Sequence, residues 1–267
     1  MKKHLSRRSF ITKTFAGGIL SPFLINELTQ NSYDYPEKAL NKDEIHLLRD
    51  GNAEDEKYWK MVRMQFPLTF DRYYFNTSGL GPSPRIVIDT VTEWTYKLET
   101  ICETGHGDVH KVNEKAAKLL NADPEEIAVT RNTTEGMNIV VRSLPLQKGD
   151  EVILTSHEHP GGSIPWLALM KEIGIKIKLI EPDLTGESNL EIIEKNITKK
   201  TRVVSIDHIP CTTGMIFPAK EIVQLCRSKN IFTCFDGAHP PGMMPVDLKD
   251  IDPDFYATSG HKWLFGL

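Results

Sequence analysis

The sequence predicts an α/β domain built on a mostly parallel central sheet with flanking helices. Three observations lead there. From residue 127 onward, short runs rich in β-branched residues alternate with amphipathic stretches. Polar residues able to do chemistry stand just past the predicted strands, where open parallel sheets place their ligands. The composition is that of an ordinary globular chain: 267 residues, 40% hydrophobic and 25% charged, long enough to bury a sizeable core.

In chain order, the amino terminus stands apart. Ser6-Arg7-Arg8-Ser9-Phe10 is a twin-arginine pattern, preceded by Lys2 and Lys3 and followed by a mildly apolar stretch from Phe15 to Ile25. That stretch is too short, and too rich in Gly and Pro, for a transmembrane helix. A basic region followed by an apolar one predicts an export signal over residues 1–30. The protein is then expected to meet the twin-arginine export machinery. It would end periplasmic, or membrane-associated through an uncleaved signal; a solvated basic terminus is the alternative. Residues 31–72 are polar and irregular, with charged helical turns around Asp43–Arg63.

Tyr73-Tyr74-Phe75 predicts a short strand, ending in the turn cluster Asn76-Thr77-Ser78-Gly79-Leu80-Gly81-Pro82. Helical periodicity covers 86–102 and resumes over 112–120, broken by Gly105-His106-Gly107. Strands are predicted at 127–130, 151–155, 175–180, 202–206, 231–235 and 255–258. Helices are predicted at 134–143, 163–173, 190–196 and 219–229.

Several function classes are disfavoured. Net charge is −4, with no basic block after residue 13, so nucleic acid is not an expected partner. The four cysteines (Cys102, Cys211, Cys226, Cys234) form no C-x-x-C pair and no Cys/His cluster with zinc spacing, so no metal site is expected. Cys226 and Cys234 read as small buried apolar residues. No predicted strand is followed by G-x-G-x-x-G, which argues against a dinucleotide fold.

The chemistry concentrates at strand ends. Ser259-Gly260-His261-Lys262 follows the apolar run Phe255-Tyr256-Ala257 and has the form of a Schiff-base lysine. Asp236, in Asp236-Gly237-Ala238-His239, ends another apolar strand, as would an acid gripping a pyridine nitrogen. Pyridoxal 5'-phosphate (PLP) needs both groups. Each also has a plainer reading: a surface lysine beside Trp263, and an aspartate capping a turn. Arg131-Asn132-Thr133-Thr134-Glu135-Gly136-Met137-Asn138 opens a helix after a strand. Its free N–H groups and the hydroxyls of Thr133 and Thr134 suit a phosphate; an ordinary Thr N-cap is equally compatible. In Glu158-His159-Pro160-Gly161-Gly162, His159 is a ring able to stack on a planar cofactor, or an incidental loop residue.

At these residues the chain resembles the class V aminotransferase family of PLP enzymes, of the type I fold, from about Tyr74 to Leu267. Further matching stretches are Gly149-Asp150-Glu151-Val152 and Pro165-Trp166. The resemblance implies a PLP-binding large domain over residues 73–267. In it Lys262 binds the cofactor aldehyde and then shuttles a proton, Asp236 holds the pyridine nitrogen and His159 stacks on the ring. His239 stands near the ring oxygen; Thr133, Thr134, Ser259 and His261 surround the phosphate. Asn76, Ser78 and Gly79 border an amino-acid substrate.

Phe75-Asn76 with Gly79-Leu80-Gly81-Pro82, and Val246-Asp247-Leu248 after the aspartate motif, look most like the isopenicillin N epimerase-like branch. This implies transamination or epimerisation through an external aldimine. A cysteine desulfurase or selenocysteine lyase-like activity is the alternative, or a catalytically inactive exported fragment. Cys211 stands where desulfurases usually carry Asn, and reads as a small contact beside the ring. Family members continue with a Pro-x-Gly-x-Gly segment and a small C-terminal domain, and they form homodimers. Neither the segment nor the domain occurs here, so the chain is expected to be truncated and its large domain incomplete.

Overall fold

The computed structural model describes residues 40, 48 and 51–267. The export signal expected over residues 1–30 lies outside the described residues. Two compact units meet in sequence at Tyr73 and Tyr74. In the first, helix α1 (Glu56–Arg63) starts at Asp55, whose carboxylate accepts from the Lys57 N–H at 2.9 Å. Among the described residues, no helix is long and apolar enough to cross a membrane.

The second unit begins with α2 (Arg85–Ile101), α3 (Val109–Leu120) and α4 (Thr133–Ser143). It then alternates: β1 (Glu151–Thr155), α5 (Pro160–Ile173), β2 (Lys176–Ile180), α6 (Asn189–Asn196), β3 (Thr201–Asp207), α7 (Ala219–Ser228), β4 (Phe232–Asp236), the short α8 (Leu248–Ile251) and β5 (Phe255–Ala257). All strand pairs are parallel, in the order β2-β1-β3-β4-β5. The chain turns from β2 back past β1 to β3, so the strand order reverses beside β1. That crevice is where such sheets hold ligands.

Parallel strands are covered on both faces, and the residues show why. Val152 and Leu154 of β1, with Val203 and Cys234, pack against Met137, Val141 and Trp166. Their strand neighbours Ile153, Val204, Ile206 and Phe235 face the other way, onto Ile193, Ile222 and Val223. Strand periodicity of two sorts one apolar run into two cores. The Trp166 indole N–H donates to the Ser205 hydroxyl at 2.9 Å, which removes the cost of burying both polar groups. Cys226 and Cys234 are both buried, as their sequence context predicts.

Two predicted strands do not form. The segment 127–130 joins no ladder: the Ile127 carbonyl accepts from the Asn113 side-chain amide at 3.0 Å, and Val129 is 62% exposed. The segment 73–75 is also outside the sheet, with Tyr73 and Phe75 exposed. Both have strand-like composition, but neither has a strand beside it to complete a ladder among the described residues. Helix α5 begins at Pro160, three residues before its predicted start, because proline is well suited to a first helical position.

Candidate active site

The carboxyl ends of β1, β3, β4 and β5 open toward one cleft of about 440 Å³, within the range of small-molecule sites. Asn76, Ser78, Gly79, Thr133, Thr134, His159, Asp236, Ser259, His261 and Lys262 all line it. Asp207, Asp236 and Ala257 are register partners on adjacent strands, so β3, β4 and β5 end at one level.

Helix α4 brings its amino terminus to the cleft. The Asn132 side chain is the cap, accepting from the Glu135 N–H at 3.0 Å. The alternative of a threonine cap is thereby set aside. Glu135 turns outward, accepting from the Arg131 backbone N–H at 2.6 Å and from its guanidinium at 3.1 Å. No acidic side chain is therefore spent on the positive end of the helix within the cleft. Thr133 and Ser259 are both buried, and their hydroxyls bond each other at 2.5 Å. That pair joins the start of α4 to the loop after β5, 126 positions along the chain.

His159 caps α5: its Nδ1 accepts from the Gly161 N–H at 3.0 Å, and its own backbone N–H donates to Asp207 at 3.1 Å. Two acids lie behind it. Glu158 accepts from the Thr155 hydroxyl at 2.5 Å and from the Asp207 N–H at 2.8 Å. Burial pushes its carboxyl up to about 7. Burial, then the neighbouring charges of Glu158 and Asp236, push Asp207 up to about 11.

That leaves Asp236 as the carboxylate facing the cleft. Only 5% of it is exposed. Oδ1 accepts from the Ala238 N–H at 3.0 Å, and beside Oδ2 stands Gly162, where a Cβ would come within 3.3 Å. Burial pushes this carboxyl upward; the Ala238 bond and the charges of Lys262 and His159 pull it back. No cationic side chain forms a salt bridge with it among the described residues. A buried acid in this state is completed by a cationic hydrogen-bond donor, and a protonated pyridine nitrogen is one. With a helix amino terminus and hydroxyls for a phosphate, and a lysine amine for an aldehyde, the donor set fits PLP.

The loop carrying Lys262 is clamped from two sides. The Gly81 N–H donates to the His261 carbonyl at 2.7 Å, and a Cβ at Gly81 would lie 1.9 Å from the Lys262 carbonyl oxygen. Gly242 has φ +89°, and a Cβ there would lie 2.5 Å from the Trp263 carbonyl oxygen. The Lys262 amine stands 3.3 Å from Nε2 of His239, which is 6% exposed. Burial, then the charges of Lys262 and His159, lower the His239 imidazole to about 4, so its ring is neutral at physiological pH.

Sequence reasoning missed three things here: the Glu158–Asp207 acid pair, the clamp at Gly81 and the bond of Trp263 to His239. Glu158 was legible only as a neighbour of His159. Cys211 is exposed on the cleft wall, a position open to solvent rather than an apolar contact.

Comparison with known proteins places these features in context. The family model "Aminotransferase class-V" matches residues 95–267. A probable cysteine desulfurase of Pyrococcus abyssi is 32% identical over 218 residues, 77% of this chain and 53% of that protein. The isopenicillin N epimerase of Streptomyces clavuligerus is 31% identical over 215 residues, 77% of this chain and 54% of that protein. Among solved structures, the cystine C-S lyase C-DES in complex with its product cysteine persulfide superposes with a TM-score of 0.69 at 30% identity, covering 74% of this chain and 56% of that one. A C-DES mutant with glycine covalently linked to its PLP cofactor gives a TM-score of 0.71 at 29% identity, covering 75% and 56%. The chain spans about half the length of the curated relatives it matches.

Proposed function

Because the chain belongs to the class-V aminotransferase family, whose cofactor is pyridoxal 5'-phosphate, we propose that it carries the cofactor-binding part of an enzyme acting at the α-carbon of an amino acid. The observation that carries this reading is the single cleft shared by the Lys262 amine, the buried Asp236 carboxylate and the amino terminus of α4. When bound, the cofactor supplies an electron sink for the bonds of the substrate's α-carbon.

The side chains do the rest. Lys262 would hold the cofactor's aldehyde, and its Nζ would take up and return the substrate's α-proton. Asp236 would accept a hydrogen bond from the ring nitrogen and favour its protonated form. The α4 N–H groups, Thr133, Thr134, Ser259 and His261 hold the phosphate. His159 flanks the ring, and Asn76, Ser78 and Gly79 border the substrate. A proton held on Lys262 Nζ would serve either an epimerisation or a transamination of the bound amino acid.

One observation favours a second reading, a cysteine desulfurase-like activity. Cys211 is an exposed thiol on the wall that also carries Lys262 and His159. The desulfurase relative and the C-S lyase structure point the same way. One assay separates the readings. The protein with PLP is incubated with single amino acids in D2O, and products are followed by mass spectrometry and chiral chromatography. Deuterium at the α-carbon with inverted product marks epimerisation, and a keto acid marks transamination. Alanine from cysteine, with the sulfur left as a persulfide that an added thiol reductant releases as sulfide, marks the second reading. No α-exchange and no sulfide, with the cofactor bound on Lys262, would contradict both.

A further inference from the structure

Resting on the cofactor reading above, we propose that Trp263 is a positioning residue that fixes the tautomer of His239 and, through it, presents the Lys262 amine for attack on an aldehyde. The Trp263 indole N–H lies 3.2 Å from His239 Nδ1. An indole nitrogen only donates, so Nδ1 must be the bare, accepting nitrogen of the neutral ring. The single ring proton then resides on Nε2. Nε2 is the atom 3.3 Å from Lys262 Nζ. An N–H now points at the amine, and that contact is a hydrogen bond only if Nζ accepts with its lone pair. An ammonium at the same place would set N–H against N–H. The chain of contacts Trp263, His239, Lys262 therefore turns the Nε2–H toward Nζ, and the bond forms when Nζ offers its lone pair, the form that condenses with an aldehyde and releases water.

The geometry is built for this. His239 is buried at the start of the kinked turn Pro240–Met243, and Trp263 follows Lys262 directly in the loop clamped by Gly81 and Gly242. The charged and titratable groups acting on His239 are Lys262 and His159. Neither reaches Nδ1, which Trp263 occupies.

Trp263→Phe keeps an aromatic ring and removes the donor; Trp263→Leu, which also lacks a donor, is the second variant, should the first fail to fold. Two readouts are needed. In the full chain without PLP, long-range 1H–15N NMR of 15N-histidine protein, assigned with His239→Asn, reports the tautomer. The expected result is a proton on Nε2 and a bare Nδ1, shifting to a tautomer mixture in Trp263→Phe. A proton on Nδ1 in the parent chain, or an unchanged tautomer in the variant, would overturn the proposal. In the second readout, PLP is added, borohydride quenches aliquots over time, and label on Lys262 is counted by mass spectrometry. The variant should label Lys262 about five- to tenfold more slowly, the size of one hydrogen bond. An equal rate would also overturn the proposal. If the parent chain never labels Lys262, the cofactor reading fails, and the tautomer result still decides the role of Trp263.

Discussion

At the scale of single residues, the cleft is an exercise in counting protons. Glu158, Asp207 and Asp236 cannot all be ionised behind one small opening. All three are buried and burial pushes each carboxyl upward; Asp236 is the one that lines the cleft. His208 obeys the same rule with opposite sign. It is 4% exposed, Nδ1 lies 2.9 Å from the Tyr256 hydroxyl, and burial lowers its ring to about 4. The unfolded chain protonates this histidine near pH 6.5, well before the folded one does. Between those values the unfolded state binds the extra proton, so the histidine's contribution is intact above pH 6.5 and is lost as the pH falls toward 4. His208→Asn should flatten the acid limb of the stability profile by at most about 3 kcal/mol. Urea unfolding of both proteins between pH 4 and 7 checks this; parallel profiles would contradict it. Asp207 works in reverse, since its raised carboxyl favours the folded state at low pH and loses that advantage as the pH rises.

At the scale of elements, function depends on loops held by glycines. The loop after β5 carries Ser259, His261 and Lys262, and it is fixed by backbone contacts rather than by a core of its own. The Gly81→Ala variant puts a methyl group on the Lys262 carbonyl, where the neighbouring atom is backbone and cannot rotate away. It should cost roughly 1–3 kcal/mol, as overpacking does. Gly260→Ala, in the same loop, meets nothing within 4 Å and should stay within about 0.5 kcal/mol. Equal unfolding midpoints for the two variants would refute the clamp. Elements also mark where the sequence stops being readable. The runs at β1, β3 and β4 were legible because their apolar residues occupy both faces. The run at 127–130 looks the same locally, and its failure to pair depends on what lies beside it. Asn132, directly before a pair of threonines, is chosen as the helix cap by geometry that spacing alone does not show.

At the scale of the whole molecule, the fold class and the gathering of Thr133, His159, Asp236 and Lys262 into one cleft were readable, because parallel sheets put strand ends on a common edge. Which ends adjoin was not readable. The Glu158–Asp207 contact spans 49 positions and the His239–Trp263 contact 24 positions, and each exists only once the strand order β1-β3-β4-β5 is known. The family match carries the cofactor, while the substrate depends on how residues such as Asn76, Ser78 and Cys211 meet it. The central claim is that these strand ends assemble a PLP site around Lys262. It is tested most directly by incubating the 267-residue chain with PLP, reducing with borohydride and mapping the modified peptide by mass spectrometry. The account predicts one pyridoxyl group, on Lys262. No label, or label scattered over surface lysines, would contradict it.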